Sequence, residues 1–299
     1  MASVSLSSRL GQSLAARPVL APYPGWVLGA GQSADLGARW RKLLWPMLRT
    51  PFDVPWLDGL QIRLYPGNET CRSLFVTGRY EPNEMCLLAR ILKPGMVVID
   101  AGANLGLYAL LASGRVQAGG RVLAIEPSSR ELEMLRKNIE LNDLTNIKAI
   151  QLALSDQTSE ADLLVAAPPH FGHNTIGAFV YGTALDHRER VKLERLDDIV
   201  RREELARVDL IKMDIEGAEY AALRGGLETL RKFHPVLLLE LSERALQPQG
   251  GNAGEVVAML KQLAYRIYGF DPGTGLPAPL SARTGDSENI VAVAGETPW

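Results

Sequence analysis

Apolar residues occur along this chain in two alternating patterns. Short continuous runs, rich in Val, Ile and Leu, predict buried strands at residues 97–100, 121–126, 147–156, 208–214 and 235–240. Apolar residues at helical spacing predict amphipathic helices at residues 84–92, 128–139, 220–230 and 256–263. Two last runs, at residues 265–270 and 289–294, predict an antiparallel pair. The alternation of strand and helix predicts an α/β fold.

The first strand leads into a glycine-rich turn. The run that ends at Asp100 opens through Gly102, Asn104 and Gly106 into a helical pattern, which is typical of a nucleoside-cofactor loop. Glycine permits positive φ and lets a ligand approach the backbone, although a plain strand-to-helix turn has the same pattern. The spacing differs from the dinucleotide fingerprint, and the carboxylate of Asp100 favours an amine over a pyrophosphate.

Two more strand ends carry groups that suit an adenosine. Glu126 ends the second strand, where a carboxylate is suited to accept both hydroxyls of a ribose. A carboxylate at this place binds the ribose of NAD in the same way, so Glu126 alone does not distinguish the two cofactors. Ser155 and Asp156 end the third strand and are interpreted either as partners of the adenine amine or as turn caps. These groups together predict S-adenosylmethionine as the cofactor.

The chain resembles class I S-adenosylmethionine-dependent methyltransferases, and more narrowly the FkbM family. The resemblance rests on the order and spacing of motifs at residues 78–82, 100–106, 126–127, 138–142, 211–219 and 289–291. It implies a Rossmann-like, mostly parallel sheet with an antiparallel last strand, helices on both faces and an N-terminal cap. We therefore divide the chain into an extension at residues 1–58 and a methyltransferase domain at residues 59–299.

The resemblance also implies a reaction and an acceptor. Members of the family transfer methyl to a hydroxyl of a sugar, polyketide or other specialised metabolite, so the expected partner is a small-molecule or glycan acceptor. Glu81 is implied near the methionine end of the cofactor, with Tyr80 near the methyl group, although Glu81 alternatively stabilises a helix N-terminus. The alternatives are an N-methyltransferase, a non-catalytic S-adenosylmethionine-binding protein and an NAD-dependent oxidoreductase.

The fourth strand carries the expected catalytic residues. Ligands bind at the carboxyl ends of strands in a doubly wound sheet, which places Lys212, Asp214 and Glu216 near the transferred methyl. Glu216 and His173 are the candidates for taking the acceptor's proton, while Asp214 holds the methionine part or a substrate hydroxyl. In the plainer interpretation, Glu216 caps a helix and His173 lies on the surface. No dedicated metal site is predicted; a divalent ion between Asp214 and Glu240 is the alternative.

The segments outside the predicted sheet are less regular. We predict a flexible arm or a targeting segment at residues 1–33, a hairpin at residues 60–76 and a surface loop at residues 271–288. The insertion at residues 159–192 has no helical period and is expected to face the acceptor. Ser128 and Glu131 have the spacing of a capping box. The basic residues between 188 and 202 predict a solvated face or a site for an anionic substrate.

Residues 34–48 predict an amphipathic helix. We expect this helix to cover the core; a contact in a homodimer and binding to a membrane surface are the alternatives. Its apolar positions are Leu36, Trp40, Leu43, Leu44 and Met47.

Composition narrows the class of protein further. A chain of 299 residues, 46% hydrophobic, is sufficient for one large domain. The 32 basic and 34 acidic residues give a net charge of −2, which argues against a nucleic-acid partner. Cys71 and Cys86 form neither a disulfide framework nor a zinc spacing, so a cytoplasmic location is expected. No apolar run approaches the length of about 18 residues that a membrane span needs.

Overall fold

The computed structural model describes residues 36–180, 182–280 and 287–299, so the predicted arm at residues 1–33 lies outside it. The described chain begins with helix α1 (Leu36–Leu44) and a hairpin of strands β1 (Phe52–Pro55) and β2 (Gln61–Leu64). Helices α2 (Glu69–Thr77) and α3 (Pro82–Ile91) follow. The hairpin predicted at residues 60–76 is therefore wrong for its second half. Helix α2 forms there because the side chain of Asn68 caps its first turn by accepting from the backbone N–H of Cys71, at 2.9 Å.

The hairpin and α2 are part of the main core. Phe52, Ile62 and Phe75 are at most 2% exposed and pack in the same cluster as residues of the central sheet. The division predicted between residues 58 and 59 thus falls within a hairpin. Trp45, in the 3-10 turn after α1, is 6% exposed and packs in that cluster too. Trp40, Leu43 and Met47, by contrast, are 62–65% exposed and do not cover the core.

Within the described ranges, the central sheet has eight strands. Their order is β12–β11–β13–β10–β9–β3–β4–β5, and β5, β4, β3, β9 and β10 are mutually parallel. Strand β13 is antiparallel to both of its neighbours, which confirms the mostly parallel sheet and the antiparallel last strand. The strands are β3 (Val97–Ala101), β4 (Arg121–Ile125), β5 (Ile147–Ile150), β9 (Leu210–Met213), β10 (Val236–Ser242), β11 (Tyr265–Phe270), β12 (Pro277–Pro279) and β13 (Ser287–Ala294).

Helices cover both faces of this sheet. Along β3, Val98 packs in one buried cluster and Ile99 in another, because neighbouring strand residues face opposite sides. The helices after the first three are α4 (Leu107–Val116), α5 (Ser129–Leu141), α6 (Leu196–Arg202), α7 (Glu219–Arg224), α8 (Leu227–Phe233), α9 (Glu243–Leu246) and α10 (Ala253–Gln262). No helix in the described ranges has the length and apolar content that a membrane span requires.

Two predicted elements are each divided in the structure. The run at residues 147–156 gives β5 in the central sheet and β6 (Ala153–Ser155) in a separate three-stranded sheet. The helix predicted at residues 220–230 breaks into α7 and α8 at Gly225 and Gly226, where a Cβ on Gly225 would lie 2.1 Å from the carbonyl oxygen of Ser155. The close approach of β6 therefore requires glycine at the point where the predicted helix is interrupted.

The predicted irregular insertion contains two long strands. β7 (Ser159–Ala166) and β8 (Leu185–Arg195) pair antiparallel and complete the three-stranded sheet with β6. The irregular part is confined to residues 167–184, which we call the insertion loop. On the exposed face, Arg190 lies 3.1 Å from Asp162 and 3.2 Å from Glu160, so part of the predicted basic run consists of cross-strand ion pairs.

Candidate active site

A cavity of about 520 Å³ opens at the carboxyl edge of β3, β4, β9 and β10, within the size range of small-molecule sites. The start of α3 and the insertion loop form its other walls. The predicted site residues that line it are Glu81, Gly102, Asn104, Glu126, His173, Asp214 and Glu216, and Glu240 joins them. Four others lie behind the wall: Asp100, Gly106, Ser155 and Asp156.

The turn between β3 and α4 packs tightly against the end of β9. Gly102 has a φ of +74°, and a Cβ on it would lie 1.8 Å from the carbonyl oxygen of Asp214. Gly106 has a φ of +100°, and a Cβ there would meet Leu135 at 2.5 Å. Both positions therefore require glycine, Gly102 for contact with β9 and Gly106 for contact with α5. Only the first of them faces the cavity.

Asp100 lies beneath the turn rather than in the cavity. It is 1% exposed, and its register partner on β9 is Lys212, whose Nζ lies 3.7 Å from Asp100 Oδ1 and 3.5 Å from Asp214 Oδ2. The ammonium of Lys212 also donates to the carbonyl oxygen of Gly102 at 3.0 Å. Burial by itself lowers the pKa of Lys212, but the charges of Asp214 and Asp100 outweigh it and raise that pKa. The ammonium thus holds two carboxylates and the turn together.

Glu126 is fixed by two backbone groups. Its Oε2 accepts from the N–H of Asn104 at 2.8 Å, and its Oε1 accepts from the N–H of Ser128 at 3.0 Å. Burial, followed by the charge of Glu131, raises the pKa of Glu126 to about 8. Each carboxylate oxygen keeps a further lone pair for a ligand. The carboxylate predicted to accept a ribose diol is thus held in one orientation, and its role as the ribose partner stays a prediction.

The predicted capping box is wrong. Ser128 occupies the N-cap position of α5, but its side chain accepts no capping hydrogen bond. Glu131 turns instead to the cavity wall, where it accepts from Asn174 Nδ2 and Arg130 Nε at 2.9 and 2.8 Å. A local capping bond does not form because this carboxylate joins α5 to the insertion loop.

Glu81 precedes α3 and faces the cavity. Its backbone adopts a φ of +38°, and its carboxylate accepts from the hydroxyl of Tyr108 at 2.5 Å. Tyr80 packs edge-on against Tyr108, with ring centroids 6.5 Å apart. Burial, followed by the charge of Asp214, raises the pKa of Glu81 to about 7. The side chain therefore belongs to the cavity and makes no capping hydrogen bond.

Three carboxylates meet at the ends of β9 and β10. One oxygen each of Asp214, Glu216 and Glu240 lies within 4.8 Å of the others. The charge of Asp214, followed by burial, raises the pKa of Glu240 to about 10, and burial followed by Asp214 raises the pKa of Glu216. The Ser287 hydroxyl donates to Glu240 at 2.6 Å. Such a group can share protons, and it is also the place where the sequence allowed a divalent ion.

The turn that carries Glu216 is held by two other segments. Glu216 has a φ of +53°, and its carbonyl oxygen accepts from Thr175 Oγ1 at 3.0 Å and from Gln249 Nε2 at 2.7 Å. Thr175 belongs to the insertion loop, and Gln249 lies after α9. These hydrogen bonds keep Glu216 in a conformation that non-glycine residues rarely adopt.

Ser155 and Asp156 do not reach the cavity. The backbone of Ser155 packs on Gly225, and Asp156 pairs with Arg224 at 3.4 Å, while residues 152–154 line the wall instead. His173 lines the cavity near its mouth, with Nε2 3.3 Å from Glu69 Oε1, and burial lowers its pKa. Its neighbour Phe171 lies 4.2 Å from the guanidinium of Arg130. Tyr108 and Glu69 also line the cavity but were not among the predicted site residues, because nothing in their local pattern distinguishes them. Asn174, which lines the cavity too, belongs to the insertion that was expected to face the acceptor.

The strand order and the cavity at the carboxyl edge define a Rossmann-like, class I methyltransferase fold. The family model of the methyltransferase FkbM domain matches residues 100–267, which is more than half of the chain. The chain therefore belongs to the FkbM methyltransferase domain family, and the resemblance found in the sequence is confirmed.

Curated relatives include methyltransferases of different kinds. Methyltransferase sdnD of Sordaria araneosa is 32% identical over 155 residues, covering 43% of this chain and 59% of the relative. Methyltransferase 1 of Beauveria bassiana is 28% identical over 145 residues, covering 43% and 57%. Ribosomal protein L11 methyltransferase of Thermoanaerobacter pseudethanolicus is 34% identical over 96 residues, covering 31% and 30%. The matched region thus spans less than two thirds of the length of each.

Among solved structures, methyltransferase FkbM from Methylobacillus flagellatus matches with a TM-score of 0.42 and 16% identity. The match covers 75% of this chain and 54% of that one.

Proposed function

We propose that the protein is an S-adenosylmethionine-dependent methyltransferase that acts on a hydroxyl of a small molecule, sugar or specialised metabolite. The observation that carries the proposal is Glu126. Its two oxygens are oriented by the N–H groups of Asn104 and Ser128, beside a turn in which Gly102 leaves no space for a Cβ. Membership of the FkbM methyltransferase domain family supports the same reaction class.

The residues of the cavity fit this cofactor. Glu126 would accept the ribose hydroxyls. Asn104 Oδ1 is buried and has no hydrogen-bond partner among the described residues, so it offers an acceptor to a bound molecule. Glu81 and Asp214, which both line the cavity, would hold the ammonium of the methionine part. Asp100 would act through Lys212, since it does not reach the cavity.

The protein itself would position the acceptor and remove the proton of its hydroxyl group. When bound, S-adenosylmethionine supplies an activated methyl group on a sulfonium centre. Glu216, in its ionised form, would accept the hydroxyl proton, and Glu240 and Asp214 would share it. Tyr80 and Tyr108 line the same cavity and would keep water from the reacting groups when the cofactor and acceptor are bound. We place His173 outside this step, because its Nε2 faces Glu69 at the mouth.

Methylation of an amine is the second candidate. Carboxylates outnumber basic side chains in the lining of the cavity, and such a surrounding favours a cationic acceptor. Among the described residues, the lining holds seven carboxylates, of Glu69, Glu81, Glu126, Glu131, Asp214, Glu216 and Glu240, beside Arg72 and Lys212. One relative is named as a methyltransferase of a ribosomal protein. A hydroxyl acceptor ranks first because the carboxylates with raised pKa values suit removal of a proton from oxygen.

Two measurements test the proposal. Isothermal titration of the purified chain with S-adenosylhomocysteine and with NAD is expected to show affinity for the first alone. Incubation with labelled methyl donor and a panel of glycosides, macrolides and amines, with and without Mg²⁺, is expected to label hydroxyl acceptors. The absence of affinity for S-adenosylhomocysteine would overturn the cofactor assignment. Label confined to amines would favour the second candidate, and strict Mg²⁺ dependence would indicate an ion at Asp214, Glu216 and Glu240.

A further inference from the structure

Glu69, His170 and His173 form a second group of ligating side chains, at the mouth of the cavity. Glu69 is the first residue of α2, and His170 lies 101 positions later in the insertion loop. His170 Nδ1 lies 3.2 Å from Glu69 Oε2, and His173 Nε2 lies 3.3 Å from Glu69 Oε1. One ligand atom from each residue lies within 4.8 Å of the other two. The three side chains thus converge on one point from two separate parts of the chain.

The distances match the edges of a metal coordination shell. In a tetrahedral zinc site with bonds of about 2.0–2.1 Å, neighbouring ligand atoms are about 3.3–3.4 Å apart. Glu69 Oε1 lies 3.3 Å from His170 Nδ1 and 3.3 Å from His173 Nε2, and both separations have about that length. The imidazole rings lie 5.2 Å apart and are tilted by 36°, so they are inclined rather than stacked flat. Two histidines and one carboxylate are also a ligand set that zinc uses with a fourth position open.

The surrounding structure holds these ligands in place. The backbone N–H of Glu69 donates to the carbonyl oxygen of Pro169 at 3.2 Å, which joins the start of α2 to the residue before His170. The N–H of His173 donates to the carbonyl oxygen of His170 at 3.1 Å. His173 Nδ1 lies 3.2 Å from the hydroxyl of Thr183, and that hydroxyl donates to the carbonyl oxygen of Val180. Thr183 is therefore available to accept from Nδ1, which directs the Nε2 lone pair towards Glu69.

The approach of the His173 Nε2 lone pair to the Glu69 carboxylate is stable only with a cation between them. An imidazole nitrogen that presents its lone pair to a carboxylate at 3.3 Å is repelled unless a proton or a metal ion lies between them. We propose that Glu69, His170 and His173 bind one zinc ion at the mouth of the cavity. Because Glu69 and His173 both line the cavity, the open fourth position borders it and is accessible to water or to an oxygen of a bound molecule. Zinc binding at this place does not depend on the proposed methyl transfer.

Zinc titration of the full-length, tag-free protein tests the proposal. After removal of metal with a chelator, isothermal titration with zinc chloride is expected to give one site per chain. Addition of Co²⁺ instead is expected to produce the visible absorption of a tetrahedral site, and excess Mg²⁺ is expected to leave zinc bound, since Mg²⁺ prefers oxygen ligands. Titration with S-adenosylhomocysteine on the same sample reports the cofactor site separately, so the two proposals fail independently.

Variants assign the ion to these residues. Thr183→Val keeps the shape of the side chain but removes the hydroxyl beside His173, and it is expected to weaken zinc binding about 10- to 100-fold. His173→Ala and Glu69→Gln each remove a ligand and are expected to weaken it further. All three positions lie outside the central sheet, and circular dichroism checks that each variant is folded.

The matched control is His187→Ala. His187 also lies between carboxylates, 2.9 Å from Asp186 and 3.0 Å from Glu189, but these contacts use opposite ring nitrogens and do not surround a common point. The His187→Ala variant is therefore expected to bind zinc as tightly as the unaltered protein does. The proposal is overturned if the unaltered protein binds no zinc, or if His173→Ala binds it as tightly as His187→Ala. Protons alone would then bridge Glu69 and the two imidazoles.

Discussion

Substituting Gly102 by alanine tests whether the β3–α4 turn sets the position of the candidate catalytic carboxylates. The added Cβ would lie 1.8 Å from the carbonyl oxygen of Asp214 and 3.2 Å from Ile215 Cγ2. Real Cβ contacts are essentially never below 3.0 Å, so the turn and the end of β9 must separate by more than about 1 Å. The left-handed φ costs about 1 kcal/mol for alanine, and the overpacking adds about 1–3 kcal/mol.

Gly95→Ala provides the matched control. Gly95 has a φ of +86°, similar to that of Gly102, but nothing lies within 4 Å of its Cβ position. The control therefore carries the backbone cost alone, about 1 kcal/mol, which lowers Tm by about 2–4 °C for a chain of this size. Gly102→Ala is expected to lower Tm by at least twice as much in thermal unfolding. A displacement of about 1 Å near the reacting groups is also expected to reduce kcat/KM about 100-fold.

The comparison of the two variants is decisive. If Gly102→Ala matches Gly95→Ala in both Tm and kcat/KM, the contact between the turn and β9 does not position Asp214 and Glu216. If only Tm falls, the turn stabilises the fold without setting the geometry of the reaction.

Three further substitutions test the electrostatics of the site. Glu126→Gln is expected to weaken S-adenosylhomocysteine binding about 10- to 150-fold, because a hydrogen bond to a charged group contributes about 1.5–3 kcal/mol. Glu203→Gln, which changes a buried carboxylate outside the cavity, is the control, and equal losses in the two variants would contradict the ribose assignment. Lys212→Met leaves Asp100 buried without its cation and is expected to lower the free energy of unfolding by about 3–5 kcal/mol in denaturant titrations. Adding Asp100→Asn removes the unpaired charge and is expected to restore much of that stability. A double variant no more stable than Lys212→Met would contradict the pairing of Lys212 with Asp100. If Glu216 is the base, it acts in its ionised form, and burial raises its pKa, so kcat/KM is expected to rise with pH through a pKa above that of an ordinary carboxyl group. A rise that persists in Glu216→Gln would exclude Glu216 as the base.

The strands of the central sheet were predictable because their signals are local. The run at residues 97–100 and the glycines after it define strand, turn and helix within one short segment, and the structure has β3 and α4 there. The same local signals failed where a distant segment decides the outcome. Gly225, at the break between α7 and α8, must be glycine because β6 passes close to it. Residues 147–156 divide because their second half pairs with β8 instead of continuing beside β4. Neither contact is encoded in the spacing of apolar residues.

The candidate site was predictable where it lies at the end of a strand. Gly102, Glu126 and Asp214 follow β3, β4 and β9 directly, and all of them line the cavity. Asp156 follows a strand too, but β6 belongs to a different sheet, and the side chain turns to Arg224. Glu131 shows the opposite error: its spacing from a serine indicated a local cap, while its partner is Asn174. Side-chain partners far apart in sequence become visible only when the fold is known.

The hydrogen bonds from Thr175 and Gln249 to the carbonyl oxygen of Glu216 have a consequence for engineering. A loop grafted from another enzyme in place of residues 167–184, to change which molecule is methylated, would release one of the two donors that hold the bend after β9. Selectivity and turnover would then change together. A graft that keeps a threonine at position 175 would separate the two, so the insertion loop is not an interchangeable module but a support for the candidate catalytic residue Glu216.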